Sequence, residues 1–393
     1  MEIITTVGWL EPLLPEQLPQ TLLDKSDTLL RETVRLNTLL PPVTALRLGR
    51  LLRITNSFYS NLIEGQYTAP LELAANAPRR DRKELSKLAY THMDAQAALE
   101  RLLNRYPLEL DWQALFHPRF VERVHARLFK DATPEELTLE DGSRMTPGQL
   151  RDRNVRVGRH TPPDHAIVKP MLERMQAVYG RQQDSRRRLL GALAYHHRLS
   201  WVHPFTDGNG RTLRMLTHLH LHKLGLSSTL WSLARGLARA QSDYYLRLEN
   251  ADQPRMGDLD GRGQLTQRGL FEFLEFMLDT GLDQVQYMIQ ALGTQTLRDR
   301  LENLVLTDPV LKETGIRPEA ARALHILLMQ GVVSRSDFKV YLGLGDRMAT
   351  DQLSRLTRLG LVESPTPKAR ELSPGLPAWF AQQVFPDLHR RFL

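Results

Sequence analysis

The segment His203-Pro204-Phe205-Thr206-Asp207-Gly208-Asn209-Gly210-Arg211-Thr212-Leu213-Arg214 constrains this chain more than any other stretch. Upstream, Leu189, Leu190, Leu193, Ala194 and Trp201 recur at helical spacing, so Arg186 to Val202 reads as a helix. Pro204 disfavours helix at the residue before it and ends that helix at His203. A second helix is expected from roughly Asn209 to Leu224, with Gly225 as its stop. The unit is therefore helix, glycine turn, helix. No strand precedes the turn and no Gly-Lys-Ser/Thr follows it, which excludes a Walker loop.

The residue types in the turn suit a polyphosphate carrying a divalent metal. Glycines let backbone N–H groups approach an anion closely, and a helix N-terminus adds open donors and a positive dipole end. Arg211 and Arg214, three apart, share a helix face and can grip neighbouring phosphates. Asp207 offers a hard oxygen of the kind Mg²⁺ takes alongside phosphate oxygens and water. His203 is the group whose ordinary pKa suits proton transfer near neutral pH.

The segment resembles the signature of the Fic family, His-Pro-Phe-x-Asp/Glu-Gly-Asn-Gly-Arg-x-x-Arg, at every specified position. The resemblance implies transfer of AMP from ATP to a Ser, Thr or Tyr hydroxyl of a protein, with release of pyrophosphate. It implies that His203 takes the hydroxyl proton and that Asp207 holds Mg²⁺. Gly208, Asn209 and Gly210 would cradle the phosphates, with Arg211 and Arg214 on the β and γ groups. Ser60-Asn61-Leu62-Ile63-Glu64-Gly65 resembles the family's inhibitory helix, Ser/Thr-x-x-x-Glu-Gly/Asn, with Ser60 and Glu64 on one face and Glu64 pairing with Arg214. Read without the resemblance, a helix-end glutamate is an ordinary solvated residue.

Composition sets the outer bounds. A chain of 393 residues can hold two or three domains. Its 41% hydrophobic and 25% charged content are those of a soluble globular protein. With no cysteine, disulfides, thiol catalysis and Cys-ligated zinc are excluded. Met1 to Gln20 shows no signal-peptide pattern, and no apolar run approaches the ~20 residues of a membrane span, so a cytoplasmic protein without membrane contact is expected. The net charge of +7 permits nucleic-acid contact without requiring it.

Along the chain, helices are expected at Leu29–Leu40, Val43–Ile63 and Asp81–Tyr106, and over residues 112–130 and 166–180. Between the last two, Met145 to Val168 is rich in Pro and Gly and alternates over Asn154-Val155-Arg156-Val157-Gly158, which reads as a short hairpin. In Fic proteins a flap occupies this place and pairs with the target segment by strand addition. Val155, Val157, Gly158 and His160 are the candidate docking residues. Downstream, Asp243-Tyr244-Tyr245 resembles the nucleoside-side helix, with Tyr245 the candidate to stack on adenine and Tyr244 either core or ligand. Asp252 stands where relatives often carry Asn, with Asn250 two residues earlier. His218, His220 and His222 invite a metal site, but only His218 and His222 share a face and no third ligand is near. Arg186, Arg187 and Arg188 read as a solvated helix start.

After Leu297–Leu306, helices at Glu319–Gln330, Arg335–Leu342 and Asp346–Leu359, then Leu361-Val362, resemble a winged helix-turn-helix. Arg347, Arg355, Arg358, Lys368 and Arg370 would meet phosphates there, or the unit would serve protein contact or dimerisation. The expectation is an all-α protein: a Fic helical core with a small β-hairpin flap, an N-terminal helical region and a C-terminal winged helix-turn-helix. Residues 1–110 hold the inhibitory helix, 111–300 the Fic catalytic domain and 301–393 the winged helix-like domain. The expected partners are ATP with Mg²⁺, a protein substrate that can be the chain itself, DNA through the winged helix, and a second copy in a homodimer. AMP removal by the same site, or a DNA-binding regulator whose Fic domain senses nucleotide, are the other readings.

Overall fold

In a computed structural model, which describes residues 3–66, 83–226, 230–366, 369–385 and 388, the central element is a helix buried on every side. This helix, Ser185–Val202, starts at Asp184, whose carboxylate accepts the N–H groups of Arg186 and Arg187. From Leu189 to Leu199 every residue is buried, His196, His197 and Arg198 included. A helix can bury polar side chains only if they are bonded. Arg198 accordingly donates from Nε and Nη2 to the Pro12 carbonyl at 3.2 and 2.8 Å, and from Nη1 to His197 Nδ1 at 2.7 Å.

The helices preceding it are α1 (Gln20–Asn37), α2 (Pro42–Ile63), α3 (Lys83–Arg105), α4 (Pro118–Leu128) and α5 (Val168–Tyr179); the central one is α6. There follow α7 (Asn209–Lys223), α8 (Leu233–Arg239), α9 (Gln241–Ala251) and α10 (Gln267–Ala291). Helix α1 begins at Gln20, not Leu29, and stops at Asn37. Its buried seam is Leu22, Ser26, Leu29, Thr33 and Leu36, and the two hydroxyls interrupt the apolar pattern that marks a helix in sequence. The seam packs on α10, where Gly281 lets Leu29 approach closely. Helix α2 packs on α3 and α8, and α7 packs on α4 and α6. The first 110 residues thus share one core with the helices that follow them. The expected start of α3 at Asp81 lies outside the described residues.

The C-terminal unit comprises α11 (Thr294–Thr307), α12 (Pro309–Glu313), α13 (Ala320–Gln330), α14 (Arg335–Leu342), α15 (Asp346–Arg358) and α16 (Ala378–Val384). Three short strands, β1 (Val333–Ser334), β2 (Val362–Glu363) and β3 (Glu371–Pro374), form an antiparallel sheet in the order β1-β3-β2. Val333 pairs with Leu372, and Val362 with Pro374. Helix α11 packs on α13 and α16, so this unit starts before residue 301. One of the arginines expected to face phosphate does something else. Arg355 reaches back to the Thr314 carbonyl at 2.7 Å and to Asp351 at 2.7 Å, whereas Arg347 and Arg358 are exposed. Lys368 lies outside the described residues. The Arg186–Arg188 run is likewise more than a solvated start: Arg187 donates to the Glu16 and Pro15 carbonyls and Arg188 to that of Gln182.

No helix among the described residues is long and apolar enough to cross a membrane.

Candidate active site

Helix α6 ends at His203, the one described non-glycine residue with positive φ (φ 50°, ψ 64°). A left-handed conformation costs an L-residue about 1–2 kcal/mol, so neighbours must hold it. Its N–H bonds the Leu199 carbonyl at 3.0 Å, and its carbonyl accepts from Arg151 Nε at 2.9 Å. The chain reverses through Pro204 to Gly208 and enters α7. Gly208, at φ 73°, both turns the chain and leaves room for Phe129 and His125, which a Cβ there would strike. No side chain caps α7, so its first N–H groups remain open to the cleft lined by Asn209 and Gly210.

The Asn209 amide is not free for a ligand in the way expected of it. Its Oδ1 accepts the Phe205 N–H at 2.9 Å and its Nδ2 donates to the Phe205 carbonyl at 2.8 Å. The side chain is a latch that closes the loop, and its offering to an anion is its backbone N–H. Below the loop, His125 stacks on Phe205 with centroids 3.8 Å apart. Its Nδ1 accepts from Gly148 N–H, so the proton sits on Nε2, which donates to the Asp207 carbonyl at 3.1 Å. Burial pushes its pKa down to about 4.

Glu64 and Ser60, one helical turn apart on α2 and its cap, clasp Arg214. Arg214 Nη2 lies 2.6 Å from Glu64 Oε1 and 2.9 Å from the Ser60 carbonyl, and Nε lies 3.0 Å from Ser60 Oγ. Glu64 sits directly over the turn, where a methyl group added at Gly210 would collide with its carboxylate. Burial works against the charged carboxyl, but Arg214, Arg211 and His203 outweigh it and hold Glu64 below its ordinary range. Arg211 lies over the Phe129 ring at 4.6 Å and 3.6 Å from Asp207. The Asp207 side chain is itself 52% exposed at the mouth of the turn.

His203 and Glu64 face a cleft of about 430 Å³ whose other end is formed by Tyr245, Leu248, Glu249 and Asp252, with Val157, Arg159 and His160 along one rim. Burial, then the nearby His160 and Arg151 charges, push His203 down to about 4, so its imidazole is neutral at physiological pH. Tyr244 is core, fully buried with its hydroxyl on His196 Nε2 at 2.8 Å. Tyr245 lines the cleft, with its hydroxyl donating to the Ile63 carbonyl at 3.2 Å at the end of α2. Asp252 is anchored by His197 Nε2 at 2.9 Å.

The flap is a minimal hairpin. Val157 and His160 exchange backbone bonds at 3.0 and 2.9 Å, and Gly158 turns at φ 58°. Val157 is exposed and Val155 half-buried, while His160 Nε2 bonds the Trp201 carbonyl at 2.8 Å. Among the described residues no three His, Asp or Glu side chains gather as a metal cluster. His218 bonds Glu100 at 2.8 Å and His222 bonds Asn104 at 3.2 Å, so both serve the packing of α7 on α3. Sequence reading missed His125 and Arg151. Both lie far along the chain from the turn they support, and no spacing rule links them to it.

Residues 115–221 match the family model described as Fic/DOC family. Over 229 residues the chain is 28% identical to protein adenylyltransferase fic-1 of Caenorhabditis elegans, which covers 55% of this chain and 39% of that one. Over 104 residues it is 31% identical to protein adenylyltransferase Fic of Drosophila mojavensis, 26% of this chain and 20% of that one. The chain thus spans less than two-fifths of the length of these curated relatives. A Fic family protein from Desulfovibrio desulfuricans G20 superposes with a TM-score of 0.52 at 17% identity, over 92% of this chain and 98% of that one, a likeness of fold. The signature turn lies within residues 115–221, the segment that matches the Fic/DOC family model, and the helices around it share the fold of a Fic family protein.

Proposed function

We propose that this chain transfers AMP from Mg²⁺-ATP to a protein hydroxyl, its own included, and that Glu64 restrains it at rest. The observation that carries the reading is the Glu64–Arg214 pair. A cation on the open N-terminus of α7 is neutralised by a carboxylate seated over Gly210, in a cleft that also holds the neutral His203. In the transfer, the target oxygen forms a bond to the α-phosphorus while the bond to the β-phosphate bridging oxygen breaks. Pyrophosphate leaves and His203 accepts the hydroxyl proton. The α7 N–H groups, Arg211 and Arg214 stabilise the phosphate charge in place.

The exposed carboxylate of Asp207 fits one ligand to Mg²⁺, because that ion takes few protein oxygens and keeps phosphate and water in its shell. Bound there, the ion would offset phosphate charge. Adenine would stack on Tyr245, and the flap at Val157 and His160 would align an extended target segment. The same cleft can also run in reverse, with Glu64 positioning a water to remove AMP, since its carboxylate and His203 are close enough to influence each other's charge. The C-terminal unit fits a winged helix. Its exposed Arg347 and Arg358 suit DNA phosphates, while Lys339 and Asp346 neutralise each other at 2.9 Å.

The test is self-modification with radiolabelled ATP by wild type, Glu64→Gly, Arg214→Ala and the double variant. Label should appear strongly with Glu64→Gly and be absent whenever Arg214 is replaced. A Glu64→Gly protein no more active than wild type sinks the inhibitory role, and absence of label from all four sinks the transferase reading.

A further inference from the structure

Arg151 is a buried cation with no carboxylate bonded to it. It is 3% exposed, yet its guanidinium is spent almost wholly on backbone carbonyls. Nε donates to His203 at 2.9 Å, and Nη2 to Val202 at 3.4 Å and to Pro163. Nη1 donates to the Arg153 carbonyl at 3.1 Å and lies 3.5 Å from Asn154 Oδ1. Its own N–H bonds the Pro204 carbonyl at 2.9 Å. Arg153 and Pro163 are the two feet of the flap, and Val202 to Pro204 is the turn that carries the strained His203. One rigid, planar group therefore sets the flap and the proton acceptor relative to each other.

A lysine could not replace it, because an ammonium cannot span carbonyls that diverge this far. Nor is the charge idle. Burial draws the pKa of Arg151 down to about 10, with Asp164 opposing, so the group stays cationic at neutral pH. Three groups face the His203 imidazole with charge: Glu64 from α2, His160 from the flap and Arg151 from the loop before it.

We infer that Arg151 is a positioning residue for the transfer: it fixes the flap and the His203 turn as one unit. This rests on the transferase reading given above. Its bonds to Arg153, Pro163 and His203 come in addition to what seats the two helices, the Asp184 cap at the start of α6 and the packing of α7 on α4 and α6.

The experiment compares the full-length wild type with Arg151→Lys and neutral Arg151→Gln. The His203 ring signal, assigned by its loss in His203→Ala, is followed by NMR from acid to neutral pH. Arg151→Lys should titrate like wild type. Arg151→Gln should titrate higher by about one unit, the usual spread that surroundings impose on histidines. Placed on Glu64→Gly, both substitutions should lower kcat about 10- to 100-fold while KM for ATP stays within about twofold, because the phosphates are held elsewhere. A folded Arg151→Gln with unmoved His203 titration overturns the inference, as does Arg151→Lys with the parent's kcat. Should Arg151→Gln fail to fold, the Arg151→Lys rate decides. If the Glu64→Gly parent transfers no AMP, the transferase reading falls, and the NMR titration still tests Arg151.

Discussion

The two ends of α2 are held by different physics. At the Pro42 end, buried Thr44 donates to the Leu328 carbonyl at 2.8 Å, Arg47 pairs with Glu363, and Gly331 lies against Pro41. These contacts are packing, a neutral hydrogen bond and a half-exposed ion pair. At the Ile63 end, Gln241 and Tyr245 hold the Ile63 carbonyl at 3.1 and 3.2 Å, and Ser60 and Glu64 neutralise Arg214. A neutral contact with a carbonyl offers a ligand nothing to replace. A carboxylate on an arginine can be replaced by a phosphate, which makes the same charge-assisted bonds. A bound polyphosphate can therefore compete with one end of the helix while the other stays fixed.

The hardest blow to the Ile63 end is on the chemistry it faces. On the Glu64→Gly background, His203→Ala should reduce AMP transfer about 10²–10⁴-fold, the usual worth of a general base. ATP affinity should be retained, because the imidazole meets the hydroxyl and not the phosphates. Retained transfer would remove His203 from the mechanism and leave the cleft a binding site.

Exchanging the partner of Arg214 comes next in size. A hydrogen bond to a charged group contributes about 1.5–3 kcal/mol, so freeing Arg214 for a phosphate in Glu64→Gly should raise transfer roughly 10- to 100-fold. Breaking a buried pair normally leaves a stranded charge, so Glu64→Gly without ATP should also melt at a lower temperature than wild type. Saturating ATP should restore more of that loss than it adds to wild type. Equal thermal shifts in the two proteins would show that the ligand does not compete for Arg214.

Why one end of α2 was legible in sequence and the other was not follows from distance along the chain. Ser60 and Glu64 are one helical turn apart, and Gly208 to Arg214 is a single turn and helix start, so local geometry places each motif, while their meeting across 150 residues was legible only through the resemblance to the Fic family. Thr44 and Arg47 find partners 284 and 316 residues away, which no local period encodes. The same holds for His125 and Arg151 under the active turn. Charge counted along a helix misled for another reason. Arg355 sits four residues after Asp351 and beside Thr314, so it is spent locally and inward, whereas Arg347 is free. In α1, Ser26 and Thr33 stand in the buried seam and hid the helix start.

Acid should separate the two kinds of contact around the cleft. His203 and His125 titrate at about 4 in the fold, below the ordinary 6.5, and His92 and His220 at about 3. A lowered histidine pKa means the unfolded chain takes protons first, so stability falls as pH drops below about 6.5, by roughly 1 kcal/mol per buried histidine near pH 5.5. Glu64 has the opposite timing. Its carboxyl is held below the ordinary 4.5, so its contribution is present above that value and is lost only as pH falls through the lower folded value. Between pH 6.5 and 5 the melting temperature should fall in wild type and Glu64→Gly in parallel. A steeper fall in wild type over that window would mean that the Glu64–Arg214 pair is already breaking.

The smallest effect belongs to the Pro42 end. The Arg47–Glu363 pair is partly exposed on both sides, 21% and 43%, and such pairs contribute about 0.2–1 kcal/mol. Arg47→Ala should therefore lower the melting temperature only slightly. Because Thr44, Gly331 and the packing of β3 on α2 remain, the helix should stay seated and Glu64 should keep its hold on Arg214. AMP transfer should be unchanged by Arg47→Ala, in the wild type and in the Glu64→Gly background alike. The contrast between the ends predicts this: an anchor of packing, a hydrogen bond and an ion pair that does not line the cleft has no reason to report on nucleotide. If Arg47→Ala instead raised transfer in wild type and did nothing when Glu64 was already Gly, the two ends would be coupled through the helix. The Pro42 end would then be part of the restraint, and the C-terminal unit would be its holder.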